Sequence, residues 1–284
     1  MTTVGVLGAG LMGSAFVRQL LKQGRQVVVW NRTASRCEPL VADGAKLAAT
    51  PAELLAQAEA IIALTSTTAE VEAMLAGASQ DLEGKDFINL VTATPQQARS
   101  LGDLVRGAGA AFVSGTIQCY PSNIGSAEAV IMFGGDEALW QRRADLLLSL
   151  AGSSALVGTD AGLPNVIDAS VTASFLFTAA SAALEAAAYA VKDGMSLTDF
   201  RAYLQTYLAH LPIEIDKALA AIEKDDFSTT DAAVATYAKS LDQFRRAFAD
   251  VGASDLLLAA NQARMQRVVE AGEGELGFAA LYRV

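Results

Sequence analysis

The chain has 284 residues, 52% hydrophobic and 18% charged, which is enough apolar substance for a full-sized core and too much for a disordered chain. A formal net charge of −10 repels phosphate backbones and anionic headgroups, so nucleic acid and an anionic membrane surface are excluded as partners. The two cysteines, Cys37 and Cys119, have no His or Cys at metal-ligand spacing, which leaves neither a metal site nor a disulfide framework.

The length suits two domains of about 150 residues. The first basic residue is Arg18, so the start does not read as a signal peptide. The longest uncharged stretch of the apolar second half, residues 169–184, is 16 residues long. It falls short of the ~20 that a membrane span needs. A cytoplasmic chain without membrane contact is therefore expected.

Residues 3–7 predict a buried strand, 14–22 a helix closed by Gly24, and 27–30 a second strand. Further β-rich runs cover 60–64, 87–91, 111–117 and 129–133. Thr50-Pro51 with Glu53, and Thr94-Pro95 with Gln97, are helix starts with a capping side chain and a first-turn proline. Asp136 is expected to cap a helix that runs to about residue 150 and ends at Gly152. Strands alternating with helices imply an α/β, doubly wound, mostly parallel sheet.

Beyond this the pattern becomes all-helical. Nothing from Pro164 to Asp193 breaks a helix, and Gly194 suits its exit. Such a rod is ~45 Å long, more than one small domain holds. Shorter helices are predicted over 197–211, 214–224, 231–250 and 255–271, with His210 as a capping residue at a helix end. The division falls near 158–163. Residues 1–160 then form a nucleotide-binding domain, and 161–284 a helical dimerisation and substrate domain that begins with the long helix 164–193.

Gly8-Ala9-Gly10-Leu11-Met12-Gly13 is a GxGxxG that follows a strand and opens a helix. In that context Gly8 permits the tight turn, Gly10 admits a pyrophosphate against the backbone, and Gly13 lets helix and strand pack closely. Leu11 and Met12 supply N–H groups at the helix start. The second strand ends without the carboxylate that would bind a ribose 2′-hydroxyl. It carries instead Asn31, Arg32 and Thr33, then Ser35 and Arg36. Two guanidinium groups and neighbouring hydroxyls favour a 2′-phosphate, hence NADPH. Thr65 and Ser66, after the run at 60–64, and Thr92, after that at 87–91, complete the candidate cofactor contacts.

With these motifs the chain resembles the imine reductases and reductive aminases, relatives of the β-hydroxyacid dehydrogenases. The resemblance spans nearly the whole chain. It rests on GAGLMG at 8–13, WNRT at 30–33, NLVTATP at 89–95, GTIQCYPSNIG at 115–125 and GTDAGLPNVID at 158–168. It implies a Rossmann domain, a long interdomain helix, and a helical domain interlocked with a second subunit, so that two chains build one site. The implied activity is NADPH-dependent reduction of an imine to an amine, with Asp168 as the catalytic residue. Read from the residues alone, Asp168 is an exposed helix-surface carboxylate, the usual place of Asp, sooner than a catalytic one, and the resemblance reverses that order. A site among Val166, Ile167, Ala169 and Val171 would raise its pKa by desolvation and let it protonate nitrogen or stabilise an iminium ion. Ile167 stands where the family often carries Tyr, Leu176 where it often carries an aromatic residue, and Thr92 where reductive aminases often carry Asn. These departures imply either a more apolar substrate, such as a cyclic imine, or a site poor at joining ketone and amine. Tyr120, Phe175 and Leu176 are the candidate pocket residues.

Two other readings are weighed. A β-hydroxyacid dehydrogenase needs a lysine early on the long helix, yet residues 160–191 contain no Lys, Arg or His. A catalytically weak NADPH-binding sensor would have no use for Asp168.

Overall fold

The computed structural model describes residues 2–284, Ser79 by its backbone alone. The chain divides into two compact units, residues 1–173 and 174–284.

The first unit is built on an eight-stranded sheet in the order β3-β2-β1-β4-β5-β6-β7-β8. Its strands are β1 (Thr3–Leu7), β2 (Gln26–Trp30), β3 (Lys46–Leu47), β4 (Ala60–Ala63), β5 (Asp86–Asn89), β6 (Ala111–Ile117), β7 (Ile131–Gly135) and β8 (Ala155–Gly158). From β3 to β6 every pairing is parallel. β7 runs antiparallel to β6, and β8 pairs parallel to β7. The connecting helices are α1 (Leu11–Lys22), α2 (Glu38–Ala42), α3 (Pro51–Gln57), α4 (Thr68–Ala76), α5 (Pro95–Gly107) and α6 (Glu137–Leu150).

The apolar runs of the strands are explained by burial on both faces, as expected of a parallel sheet covered by helices. Val4, Val6, Val27, Val29, Ile62 and Ile88 belong to the core on one face, with Phe16, Val17 and Leu20 of α1. Leu7, Val28, Ile61, Ala63 and Phe87 belong to the core on the other, with Leu54 and Leu55 of α3. Adjacent residues thus alternate between two cores. The strand order reverses beside β1, whose neighbours are β2 and β4. In such sheets the crevice at the carboxyl ends of the strands is the ligand site.

Thr94 and Gln97 form a reciprocal capping box, and Thr50 accepts the Glu53 N–H. Asp136 stands at the N-cap of α6 as expected, but its side chain makes no capping bond. Its carboxylate turns instead to the Phe112 N–H at 2.8 Å and to Arg106 Nε at 3.0 Å, a backbone donor of β6 and a cation of α5.

The long helix, α7, runs Leu163–Lys192, and the boundary between the units falls inside it. Its middle, Asp168–Phe177, is wound as a π-helix, which widens the turn there. The 16-residue count stopped at the carboxylates of Asp168 and Glu185, but the helix passes both. By length and composition it is long and apolar enough to cross a membrane.

The second unit continues with α8 (Leu197–Glu223), α9 (Val234–Asp250) and α10 (Leu256–Glu270). The expected break between 211 and 214 is corrected, because α8 runs through Pro212 as one helix. Pro212 is exposed, so the carbonyl that loses its N–H partner can bond to water. His210 therefore lies within a helix and not at its end. α9 begins at Val234 rather than Asp231, its first N–H groups taken by the carbonyls of Leu276 and Gly274. The first N–H groups of α10, on Leu257 and Leu258, go to the Glu185 carboxylate at 3.1 and 3.2 Å. A small core of Phe227, Val234, Ala238, Met265, Val268, Ala280 and Leu281 holds this unit.

Candidate active site

The turn from β1 into α1 fits a dinucleotide pyrophosphate. Gly8 has φ +113°, and a Cβ there would lie 2.5 Å from the Leu64 carbonyl oxygen. A Cβ on Gly13 would lie 2.1 Å from the Gly8 carbonyl oxygen, so α1 and the turn are in backbone contact. Over Gly10 a Cβ would meet nothing within 4 Å, leaving its face open for an anion against the backbone. α1 has no side-chain cap, so its first-turn N–H groups are directed at that opening. The Leu11 side chain, 85% exposed, stands beside it.

At the end of β2 the structure separates residues that the sequence grouped. Asn31 is a strut: its Oδ1 accepts the Ala9 N–H at 3.0 Å and its Nδ2 donates to the Thr33 carbonyl at 2.9 Å. It thus ties the phosphate turn to the end of β2. Arg32 projects into solvent with its side chain 79% exposed and donates from Nη1 to Glu70 Oε1 at 2.8 Å. Thr33, Ser35 and Arg36 are exposed on the same segment. Ser66, on the loop after β4, gives its N–H to the other Glu70 oxygen at 3.0 Å, and Thr65 Oγ1 donates to the Thr67 carbonyl.

A cavity of about 280 Å³ opens at the carboxyl ends of β1, β4, β5 and β6. It is lined by Met12 from α1, Leu64 and Thr65 after β4, Leu90 and Thr92 after β5, Gly115 to Ile117 and Cys119 of β6 and its exit, and Asp168. The sequence candidates Met12, Thr65, Thr92 and Asp168 therefore meet in one place. Asp168 is half-buried, and its Oδ1 accepts from Gln118 Nε2 at 2.9 Å. Gln118 Oε1 in turn accepts from Thr172 Oγ1 at 2.9 Å, one helical turn beyond Asp168. Thr116 donates to the Pro164 carbonyl at 3.5 Å, which leaves its oxygen to accept from Gln118 Nε2 at 3.4 Å. Both threonines thus orient the Gln118 amide with its N–H groups toward Asp168.

The start of α7 is fixed to the sheet by further polar contacts. Asn165 is buried and donates to the Ala93 carbonyl at 2.9 Å. Asp160 accepts from Arg99 through two nitrogens and from the Gly162 N–H, and the Arg99 guanidinium first, then that N–H, hold its carboxyl below the usual range. Burial pushes the Cys119 thiol up, against reactivity as a thiolate.

Of the three candidate pocket residues, Tyr120 is 78% exposed and does not line this cavity. Phe175 and Leu176 are exposed on the π-wound stretch within the second unit. Gln118 lies within the GTIQCYPSNIG run but was not singled out there, because its partner Asp168 lies 50 positions away.

Comparison with known proteins agrees with this geometry along the whole chain. Residues 3–158 match the NAD binding domain of 6-phosphogluconate dehydrogenase, and residues 160–284 match the NADPH-dependent reductive aminase-like C-terminal domain. The NADPH-dependent reductive aminase of Aspergillus oryzae is 30% identical over 282 residues, covering 98% of this chain and 95% of that protein. An imine reductase structure from Bacillus cereus superimposes with a TM-score of 0.94 at 27% identity, covering 100% of this chain and 98% of that one. A reductive aminase from Aspergillus terreus, in complex with NADPH and ethyl levulinate, gives a TM-score of 0.87 at 29% identity, covering 100% and 99%. The chain belongs to the NADPH-dependent imine reductase and reductive aminase family, and it is an oxidoreductase that reduces C=N bonds with NADPH.

Proposed function

We propose that the cavity at the strand ends takes a cyclic or otherwise apolar imine and that Asp168 governs the charge on its nitrogen. The observation that carries this reading is the shared lining: Asp168 is the only carboxylate among the described residues of the cavity wall, which also includes Met12 of the phosphate turn. Bound NADPH supplies hydride to the imine carbon, and the nitrogen must gain a proton. A carboxylate in low dielectric favours the iminium form by Coulomb attraction, or passes a proton to nitrogen as a general acid. Gln118 and Thr172 hold it in place for either role. Leu64, Leu90 and Ile117 give the cavity its apolar wall, against which a ring can pack. Gly10 is read as the backbone contact of the pyrophosphate, with Gly8 and Gly13 shaping the turn that presents it, and Arg32, Thr33 and Arg36 on the 2′-phosphate.

The test is NADPH consumption with a panel of cyclic imines beside NADP⁺ reduction with small 3-hydroxy acids. Turnover of imines alone is expected, and turnover of hydroxy acids alone overturns the reading. A second reading, coupling of a ketone with an amine, is favoured by the likeness to the Aspergillus oryzae reductive aminase. Thr92, where reductive aminases often have Asn, speaks against it. Cyclohexanone with an equimolar primary amine decides the point.

The helical unit is further read as half of an intertwined homodimer in a cytoplasmic protein. Leu184, Tyr203, Tyr207, Ile213 and Phe244 are all more than half exposed, apolar and aromatic side chains that a partner surface would cover. The bonds of Asp168 to Gln118 and of Asn165 to Ala93 anchor the start of α7 in the sheet unit, which favours a second copy over lipid as its cover. The interface should exceed ~2,000 Å². A stable, active monomer by light scattering would overturn this.

A further inference from the structure

Arg32 leaves the end of β2 with an ion pair to Glu70 of α4 at 2.8 Å. The carboxylate of Glu70 is not free to follow it. Its second oxygen holds the Ser66 N–H at 3.0 Å, and its own backbone N–H is held by Thr67 Oγ1 at 3.2 Å. These bonds fix an acidic side chain in the first turn of α4, where a negative charge is favoured by the helix dipole. Glu70 is also half-buried, so its charge is screened less than that of a fully exposed residue. A phosphate arriving at Arg32 meets a guanidinium that is already engaged and an anion that stays beside it.

We propose that Glu70 is a built-in competitor for the 2′-phosphate of NADPH, and that it sets how strongly this chain discriminates NADPH from NADH. The proposal rests on the reading of Arg32 as the partner of that phosphate. The 2′-phosphate must take one or more guanidinium N–H groups from Glu70 and accept its negative charge as a neighbour. NADH, which has a hydroxyl there, pays neither cost. Glu70 therefore lowers NADPH affinity selectively and narrows the preference that Arg32 and Arg36 create.

The test is calorimetric titration of the purified protein with 2′,5′-ADP, which carries the phosphate, and with 5′-AMP, which lacks it. Glu70→Gln keeps an oxygen for the Ser66 N–H and removes the charge. It is expected to bind 2′,5′-ADP about three- to tenfold more tightly, as befits one partly exposed charge interaction, with 5′-AMP affinity unchanged. The gain should shrink as salt is raised. Unchanged or weaker binding of 2′,5′-ADP overturns the proposal and makes Glu70 an aid that pre-orients Arg32. Equal tightening of both nucleotides overturns it as well. Arg32→Ala separates the underlying reading: it must weaken 2′,5′-ADP and spare 5′-AMP. If it does not, the phosphate is held elsewhere and the proposal falls with that reading.

Discussion

Replacing Gln118 with Leu removes the polar end of the side chain and keeps its bulk. In the parent, Gln118 Nε2 lies 2.9 Å from Asp168 Oδ1, and Oε1 lies 2.9 Å from Thr172 Oγ1. A hydrogen bond to a charged group contributes about 1.5–3 kcal/mol. Both partners are only half-buried, so the lower figure applies. If that bond holds Asp168 in its reactive orientation, about 1.5 kcal/mol corresponds to roughly a tenfold loss of turnover. The loss belongs in kcat for imine reduction, with NADPH affinity unchanged, because Gln118 is not among the residues of the phosphate turn. Gln118→Glu sets a second carboxylate against Asp168 and should be slower still. Steady-state kinetics on a cyclic imine, beside fluorescence titration with NADPH, supply both quantities. If the Leu and Glu variants keep the parent kcat, Gln118 is only a wall of the cavity.

Asp86 is buried at the start of β5 and pairs with Arg142 and with Arg143 Nε, the latter at 2.6 Å. Asp86→Ala leaves Arg143 largely buried without a counter-charge, with only the Thr2 hydroxyl still accepting from its Nη1 at 2.9 Å, and should cost about 3 kcal/mol in urea unfolding, while Arg142 is exposed enough to turn to water. Gly13→Ala forces a methyl group into the Gly8 carbonyl, so the phosphate turn must shift. NADPH affinity should fall at least tenfold in a folded protein, and unchanged affinity would show that the turn does not carry the cofactor. Asp160 is held below its usual range, by Arg99 first, so its contribution is complete above the ordinary carboxylate value of about 3.8 and is lost as pH falls through the lower folded value. Asp160→Asn should be less stable than the parent at pH 7, with the gap narrowing below pH ~4 in denaturation series.

The sheet unit was readable because physical necessity leaves local marks. Strands covered on both faces must be apolar throughout, and the phosphate turn must carry glycine where Gly8 has a positive φ and where Gly13 touches backbone. What went unread lacks such marks. β3 is two exposed residues, and β8 is a short, partly exposed strand at the other edge of the sheet. Pro212 looked like a break because its tolerance depends on exposure, which the sequence does not display. Asp136 looked like a cap because the competing donors on Arg106 and Phe112 come from elements distant in sequence. The π-winding of 168–177 has no residue signal that we can identify. In the site, the GTIQCYPSNIG run contained Thr116 and Gln118 without singling out either, and Glu70 was missed altogether, since each takes its meaning from a partner brought to it by the fold.

The role of Asp168 can be read from one variant and two substrates. Asp168→Asn keeps the shape of the side chain and its contact with Gln118 while removing charge and proton. Turnover should be measured with a weakly basic imine and with a strongly basic one that enters already protonated, together with the Kd for NADPH. A loss of about 10²–10⁴ on the weakly basic imine, a smaller loss on the strongly basic one, and an NADPH Kd within twofold of the parent are expected. Parent rates on both imines would show Asp168 to be structural, with the proton carried by another group or by water.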